Sequence, residues 1–350
     1  MTPAAKRRRA PRAARCLGRP AGLTLGAATA VAAAGCDRMS LLATRGVTGA
    51  HETALGWFLL ITASVVVVVI TILVLAAWAR ARSRPAGGAV MAGGHRGFSW
   101  IVWGGIVVPS IILIVAFAFT LVTLKAVAEP AGAPVATIRV VGHQWWWEVH
   151  YESAAPDQAV TAANEIHIPV GEPVQFELES ADVIHSFWVP QLAGKTDMIP
   201  GQTNEMWIEA KQPGVYTGTC GEFCGAQHAH MLLRIVAESP DQYTAWLAGQ
   251  RRAAAPPPDS AAAGLHVFLT TGCANCHTIR GTAAGGNVGP DLTHIASRQT
   301  IAAGTLPNTK GNLIGWITDA PAIKPGADMP RMAVPARDLP TLVAYLETLR

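Results

Sequence analysis

Charged residues are scarce in this chain, and the scarcity is local. Asp, Glu, Lys and Arg make up 14% of the 350 residues, while half of all residues are hydrophobic. No charged residue occurs from 54 to 78 or from 98 to 124. A helix needs about 20 apolar residues to cross the hydrocarbon core of a bilayer. The sequence therefore predicts two transmembrane helices over about 54–78 and 98–124, within a hairpin at 50–126, and it excludes a protein that is soluble throughout.

The chain also lacks a basic surplus outside its N-terminus. The formal net charge is +4, and the first 19 residues hold seven Lys and Arg residues, so the remainder is slightly acidic. This distribution excludes nucleic acid as the expected partner. The basic start, the apolar run 21–34 and the small residues before Cys36 predict a signal peptide over 1–35. Two interpretations stay open: a lipoprotein signal with a lipidated Cys36, or an ordinary signal peptide.

The loop between the two apolar runs has no acidic residue. Residues 79–97 carry four arginines instead, and a basic loop of this kind is typical of the cytoplasmic side. The sequence therefore predicts a bacterial inner-membrane protein with two spans. Its N-terminal and C-terminal parts are expected on the periplasmic side, which agrees with the export signal.

Long apolar runs are absent after the hairpin, and short alternating runs replace them. Four such runs, bounded by Gly and Pro turns, predict strands in an all-β domain over 135–240; they are 137–141, 173–178, 205–209 and 231–236. A Pro/Ala-rich linker at 250–260 is expected not to pack. Helical patterns at 261–271 and 338–350 then predict a separate small domain over 261–350.

Cysteine is scarce as well, and four of the six cysteines form two close pairs. In the first pair, Cys220 and Cys224 are followed by His228 and Met231. Two thiolates, an imidazole and a thioether form a soft ligand set that selects copper over hard cations. His185, after a strand-like run, is the candidate for a further ligand. The alternatives are a disulfide or a zinc site, although zinc has no use for a thioether.

The second pair belongs to the string Cys273-Ala-Asn-Cys276-His277. This spacing is the signature of covalent c-type haem attachment, with the histidine as the proximal ligand. Met329 lies in a loop similar to the one that presents the distal methionine in small class I cytochromes c, and Met332 is the alternative. His294 is a weaker competitor for the distal position because it lies too close to the proline loop at 288–293.

Two further strings precede the copper motif, Gly142-His-Gln-Trp-Trp-Trp-Glu148 and Asp182-Val-Ile-His185. With the copper motif they resemble subunit II of cytochrome c oxidase over about residues 40–240. The resemblance implies a cupredoxin barrel that holds the binuclear copper centre called CuA. The expected architecture is then a multidomain membrane protein with a two-helix hairpin, an all-β cupredoxin-like domain and an all-α class I cytochrome c domain.

The family's site residues map onto this sequence one by one. The resemblance implies that the two cysteines bridge the coppers, that the two histidines are terminal ligands and that Trp145 accepts electrons. It also implies a magnesium ion that is shared with the catalytic subunit and bound by the side chain of Glu222. The complete implied copper ligand set is His185, Cys220, the backbone carbonyl of Glu222, Cys224, His228 and Met231.

The fused domain order resembles oxidases whose subunit II carries its own cytochrome. The implied function is electron delivery to a catalytic subunit I that reduces oxygen to water and pumps protons. Implied partners are subunits I and III, membrane lipid, and cytochrome c or a quinol:cytochrome c reductase as donor. The rival functions are the CuA domain of an enzyme like nitrous oxide reductase and a copper-delivery protein for oxidase assembly. One departure from the family is the lack of an acid over 98–109.

Overall fold

The computed structural model describes residues 39–83, 95–155 and 158–350. The predicted signal peptide and Cys36 lie outside the described residues. All described residues belong to the unit Arg38–Arg350. Within it, a pair of apolar helices leads into a β-sandwich, and the sandwich leads into a small helical domain.

Two apolar helices form the hairpin, as the sequence predicts. Helix α1 spans Val47–Arg82, and the second segment consists of α2 (His95–Val102), a π-helical turn (Trp103–Val107) and α3 (Val108–Ala128). By length and composition, Val47–Arg82 and Gly97–Ala128 could each cross a membrane. Their apolar side chains are largely exposed, which suits contact with lipid rather than with a protein core.

The start of α1 packs tightly against the β domain. Gly46, just before the helix, lies so close to Leu192 that a Cβ atom at this position would be 1.9 Å from the Leu192 carbonyl oxygen. Thr48 Oγ1 donates a hydrogen bond to the same oxygen at 3.1 Å. At the other end of the hairpin, Trp207 Nε1 donates to the carbonyl oxygen of Val127 at 2.7 Å. Both ends of the hairpin are therefore tied to the sandwich.

Ten strands form two five-stranded sheets that enclose one core. The first sheet has the order β3-β2-β1-β5-β8 and the second the order β4-β10-β9-β6-β7. Inward-facing side chains alternate with exposed ones along β1, β2, β5 and β10, as expected for sheets buried on one face. The strands are β1 (Ala136–His143), β2 (Trp146–Tyr151), β3 (Val160–Ala163), β4 (Glu165–Pro169), β5 (Val174–Ser180), β6 (His185–Trp188), β7 (Thr196–Met198), β8 (Asn204–Ile208), β9 (Gly214–Cys220) and β10 (Leu232–Glu238).

Four of these strands, β1, β5, β8 and β10, overlap the four runs that the sequence predicts as strands. The predicted β-domain is thereby confirmed in class. Strand β2 is among the strands that were not predicted, because its Trp-rich string was interpreted only as part of a motif. The sandwich ends in helix α4 (Pro240–Gln250), whose Ser239 and Gln242 form a reciprocal cap on the first turn.

The C-terminal domain is helical, as predicted. It contains α5 (Asp259–Thr270), α6 (Lys310–Thr318), α7 (Ala320–Ile323) and α8 (Leu339–Leu346), with a short hairpin of β11 (Thr300–Ile301) and β12 (Leu306–Pro307). Helices α5 and α8 cross at Gly264, where a Cβ atom would lie 2.3 Å from the Thr341 carbonyl oxygen. Phe268 and Tyr345 fill the core beside this crossing.

The expectation that the linker does not pack is wrong for its first half. The Ala254 amide donates to the Arg280 carbonyl oxygen at 2.9 Å. The guanidinium of Arg280 donates to the carbonyl oxygens of Gln250 and Arg251. His294 Nε2 donates to the Arg252 carbonyl oxygen at 3.1 Å. The Pro/Ala-rich composition gave no sign of packing, because the linker backbone is held largely by side-chain donors of the following domain.

Candidate metal and haem sites

The copper motif lies in the loop between β9 and β10. Cys220 ends β9, and its amide donates to the carbonyl oxygen of Met231 at 3.0 Å, so the antiparallel ladder brings these two residues together. The intervening loop folds back through Cys224 and a short turn that begins at His228. His185 begins β6, which pairs with β9 and therefore reaches the same end of the sheet.

The predicted ligand atoms converge. Sγ of Cys220 lies 3.8 Å from Nδ1 of His185, and Sγ of Cys224 lies 3.8 Å both from Nδ1 of His228 and from Sδ of Met231. The ligand atoms of His185 and the two cysteines all lie within 4.8 Å of one another. Both thiols are free and buried, so the disulfide alternative is not what the structure contains. The set of soft donors fits copper.

His185 is fully buried and fixed from its outer side. Its Nε2 donates to Oδ1 of Asp182 at 2.8 Å, which leaves Nδ1 facing the cysteines. Asp182 is itself held by the amides of Gln144 and Val183. A carboxylate behind a ligating imidazole sets its orientation and raises its basicity. This role of Asp182 was not predicted from the sequence, although an acid three residues before a candidate ligand is a usable signal.

The two thiols interact strongly. A hydrogen bond from the Cys224 thiol, with help from His185, lowers the pKa of Cys220 to about 3 against the opposing effect of burial. The thiolate thus formed raises the pKa of Cys224. The thiolate is the form of cysteine that binds metal, and the lowered pKa of Cys220 favours that form at one of the two sulfurs.

Glu222 presents two different groups. Its carbonyl oxygen lies 3.1 Å from Sγ of Cys220 and so faces the metal site. Its side chain is about half exposed and lies 3.5 Å from Nζ of Lys195. The carbonyl fits the predicted copper ligand, while the carboxylate lies at the surface beside Lys195.

A cavity of about 420 Å³ occupies the helical domain and extends to the sandwich. His277 faces it, and its Nδ1 donates to the Pro290 carbonyl oxygen at 2.8 Å, so Nε2 is left to bind iron. Burial lowers the pKa of His277 and so disfavours the charged form of the ring. Gly289 is required beside it, since a Cβ atom there would lie 2.7 Å from Cε1 of the ring. All predicted haem-binding residues line the cavity: Cys273, Cys276, His277, Met329 and Met332.

The apolar cavity, the paired cysteines and the oriented imidazole fit a covalent haem. Both methionines line the cavity, so the choice of Met329 over Met332 stays a prediction. His294 does not line it. That residue is buried against the linker, which agrees with its weaker rank as a distal ligand.

Trp145 lies between the two sites. Its Nε1 donates to the Cys224 carbonyl oxygen at 3.0 Å, and Gln144 Nε2 donates to the same oxygen at 2.7 Å. On its other side, the indole lines the haem cavity and packs against Gly326, where a Cβ atom would lie 3.0 Å from Cη2. Only 9% of Trp145 is exposed. Trp147, in contrast, is a core residue, and Trp146 stacks on His143.

Comparisons with known proteins agree with both halves of this arrangement. The family model described as cytochrome c oxidase subunit II, periplasmic domain, matches residues 152–239, and the cytochrome c model matches 261–350. Subunit 2 of the cytochrome c oxidase of Alkalihalophilus pseudofirmus is 42% identical over 215 residues, and the match spans 61% of each chain. Subunit 2 from Bacillus sp. strain PS3 is 29% identical over 65% of this chain and 67% of its own.

Among solved structures, the periplasmic domain of cytochrome oxidase subunit II from Bradyrhizobium japonicum is 28% identical. It covers 34% of this chain and 96% of its own length, with a TM-score of 0.32. This chain spans about three fifths of the length of the first relative named above. The two family matches lie in the sandwich and in the helical domain. The chain thus contains a region similar to the periplasmic domain of cytochrome c oxidase subunit II, followed by a region similar to cytochrome c.

Proposed function

We propose that this chain is the electron-accepting subunit of a haem–copper terminal oxidase. It would pass electrons from its own c-type haem to a CuA centre and then to a catalytic subunit that reduces oxygen to water and pumps protons. The observation that carries the proposal is the position of Trp145, which contacts the Cys224 carbonyl on one side and the haem cavity on the other.

In the copper site, Cys220 and Cys224 would bridge the two metal ions. His185 and His228 would bind through Nδ1, the atom that each ring turns towards a cysteine. Met231 and the Glu222 carbonyl oxygen would complete the set. Two copper ions joined by two thiolates supply a one-electron relay with little rearrangement between oxidation states. Asp182 and the β9–β10 ladder hold the ligands in place during that exchange.

In the haem site, Cys273 and Cys276 would form thioether bonds, and His277 and Met329 would be the axial ligands. His and Met ligation raises the haem potential into a range suited to donation to copper. Because Trp145 is nearly covered by the helical domain, we infer that it receives electrons from the fused haem rather than from a soluble cytochrome that docks on the indole.

The hairpin would anchor the chain in the bacterial inner membrane with both metal-binding domains on the periplasmic side. The arginine-rich loop supports this orientation. Subunits I and III are the expected neighbours, and cytochrome c or a quinol:cytochrome c reductase is the expected donor. The exposed carboxylate of Glu222 would contribute to a magnesium site shared with subunit I.

The test is a metal and spectroscopic analysis of the full chain purified from membranes. We expect two copper ions per chain, a mixed-valence copper signal and one covalent haem. Cys224→Ser should lose the copper signal and keep the haem, whereas Cys273→Ser should alter haem attachment and keep the copper signal. A single zinc ion, or a disulfide between Cys220 and Cys224 in the untreated chain, would refute the copper proposal.

A further inference from the structure

A buried lysine lies where the helical domain meets the sandwich. Lys324 follows α7 and is only 3% exposed, although lysine side chains are rarely buried without a partner. Among the described residues, no acidic side chain forms an ion pair with it. Its ammonium group donates instead to three backbone carbonyl oxygens, those of Trp145 at 2.6 Å, His230 at 2.9 Å and Ala302 at 3.3 Å.

These three acceptors come from both domains. Trp145 and His230 belong to the sandwich and flank the copper loop, while Ala302 belongs to the helical domain. An ammonium group has three donors, so the three carbonyls satisfy it completely. If the domains separated, Lys324 would lose two of its three acceptors. The ammonium group is therefore satisfied by protein carbonyls alone, without water, only in this relative placement of the domains.

The backbone around Ala302 is shaped for the same contact. Ala302 and Ala303 have φ values of 53° and 52°, a left-handed conformation that residues other than glycine rarely adopt. The turn directs the Ala302 carbonyl to Lys324, and the Ala303 carbonyl accepts a hydrogen bond from the Leu232 amide of β10 at 3.0 Å. Strained backbone of this kind persists where surrounding contacts hold it.

A second contact lies directly beside the lysine. Gln227 Nε2, from the copper loop, donates to the Pro325 carbonyl oxygen at 2.9 Å. Gly326 follows and packs against the Trp145 indole. The segment from Lys324 to Gly326 therefore connects the helical domain to the copper loop. It contacts Gln227 and His230, which precede the predicted ligands His228 and Met231, and it also contacts Trp145.

We propose that Lys324 is a positioning residue that locks the haem domain onto the copper domain, so that electrons cross without a search between domains. The inference rests on the proposed electron relay. It adds that Lys324 fixes the position of the haem relative to the copper site. A linker that does not pack, as expected from its composition, would only tether the haem domain and raise the local concentration of the electron donor. The hydrogen bonds of Lys324 to carbonyl oxygens of both domains form a fixed contact instead.

The test is electron transfer within the full chain after rapid photochemical reduction of the haem, with Lys324→Met as the variant. Methionine keeps the length and removes the charge and all donors. We expect the rate from haem to copper to fall at least about tenfold, because the contact must re-form before each transfer. The rate should also become dependent on solvent viscosity, which a fixed contact does not require. Lys310→Met, at an exposed lysine of the same domain, is the matched control and should behave as the parent.

Several outcomes would separate the explanations. If the parent chain shows no transfer from haem to copper, the proposed function fails. If the parent transfers electrons and Lys324→Met leaves both the rate and its viscosity independence unchanged, the lock is refuted while the function stands. If Lys324→Met changes the haem potential but the rate does not depend on viscosity, Lys324 acts on the haem itself. That result would refute a role in holding the domains together. Should Lys324→Met not accumulate, Gln227→Ala removes the neighbouring contact and should shift the rate in the same direction by a smaller factor.

Discussion

The copper and haem sites differ in how far the protein alone completes them. The copper ligands are brought together by protein contacts, namely a β ladder, a buried imidazole and Asp182. The haem site is an apolar cavity of about 420 Å³ whose lining includes core residues of the helical domain such as Phe268, Leu342 and Leu346. The comparison teaches that one site is a rigid holder for its cofactor, whereas the other uses its cofactor as part of the core.

Removal of the haem should have the largest effect on stability. An empty cavity of 420 Å³ would cost about 10 kcal/mol at the usual penalty per unit of cavity volume. That cost equals the whole stability of a typical domain. The double variant Cys273→Ala, Cys276→Ala should therefore leave residues 261–350 without protection in hydrogen exchange.

The sandwich in the same sample is the internal control for that experiment. Its two sheets have their own core, so protection of β1, β5 and β10 should persist. Loss of protection in both domains at once would break the comparison, since it would make the haem domain a required part of the sandwich fold.

The rigid-holder interpretation predicts an intermediate effect for Asp182→Asn. Loss of the carboxylate behind His185 should weaken copper binding about 10- to 100-fold, as substitution of such outer partners usually does. Competition with a copper chelator measures this. Asp197→Asn, at an exposed aspartate of β7, is the control. An equal loss in both variants would mean that surface charge, and not the orientation of His185, governs the affinity.

The sequence predicted the ligand residues of both sites better than the contacts that hold the two domains together. The copper ligands were visible because Cys220, Cys224, His228 and Met231 lie within one loop, where spacing alone limits the geometry. The covering of Trp145 and the burial of Lys324 were not visible, because each depends on contact between residues more than 90 positions apart. The packed linker was missed because its donors Arg280 and His294 lie 29 to 42 positions further along the chain, in the next domain.

The unfolding free energy of the sandwich should depend on pH through His167, a buried residue of this domain. His167 of β4 is buried, stacks on Trp246 and contacts Glu238 and Glu165. Burial lowers its pKa, but the hydrogen bonds and charges of the two glutamates outweigh burial and raise it. A raised pKa adds stability below the pKa of the unfolded chain, and this stability is lost as pH rises through the higher folded value.

The His167→Gln variant tests that sign. The parent sandwich should lose on the order of 1 kcal/mol of unfolding free energy as pH rises through the folded pKa of His167, and the variant should lose less. Chemical unfolding followed by the fluorescence of the sandwich tryptophans measures it at several pH values. A variant whose stability falls as steeply as that of the parent would place the titrating group elsewhere.

The smallest expected effect on stability concerns the distal ligand. Met329→Leu conserves volume in the cavity wall and should change the unfolding free energy by less than about 1.5 kcal/mol. It should nevertheless abolish the sulfur-to-iron absorption band, because leucine cannot bind iron. Met332→Leu makes the same change in volume a short distance along the loop and should keep the band. The reverse pattern would exchange the two roles, and loss of the band in neither variant would assign the sixth position to another residue. In both variants the haem would still fill the cavity. The stability of this domain should therefore depend far more on the volume of the porphyrin than on one axial bond.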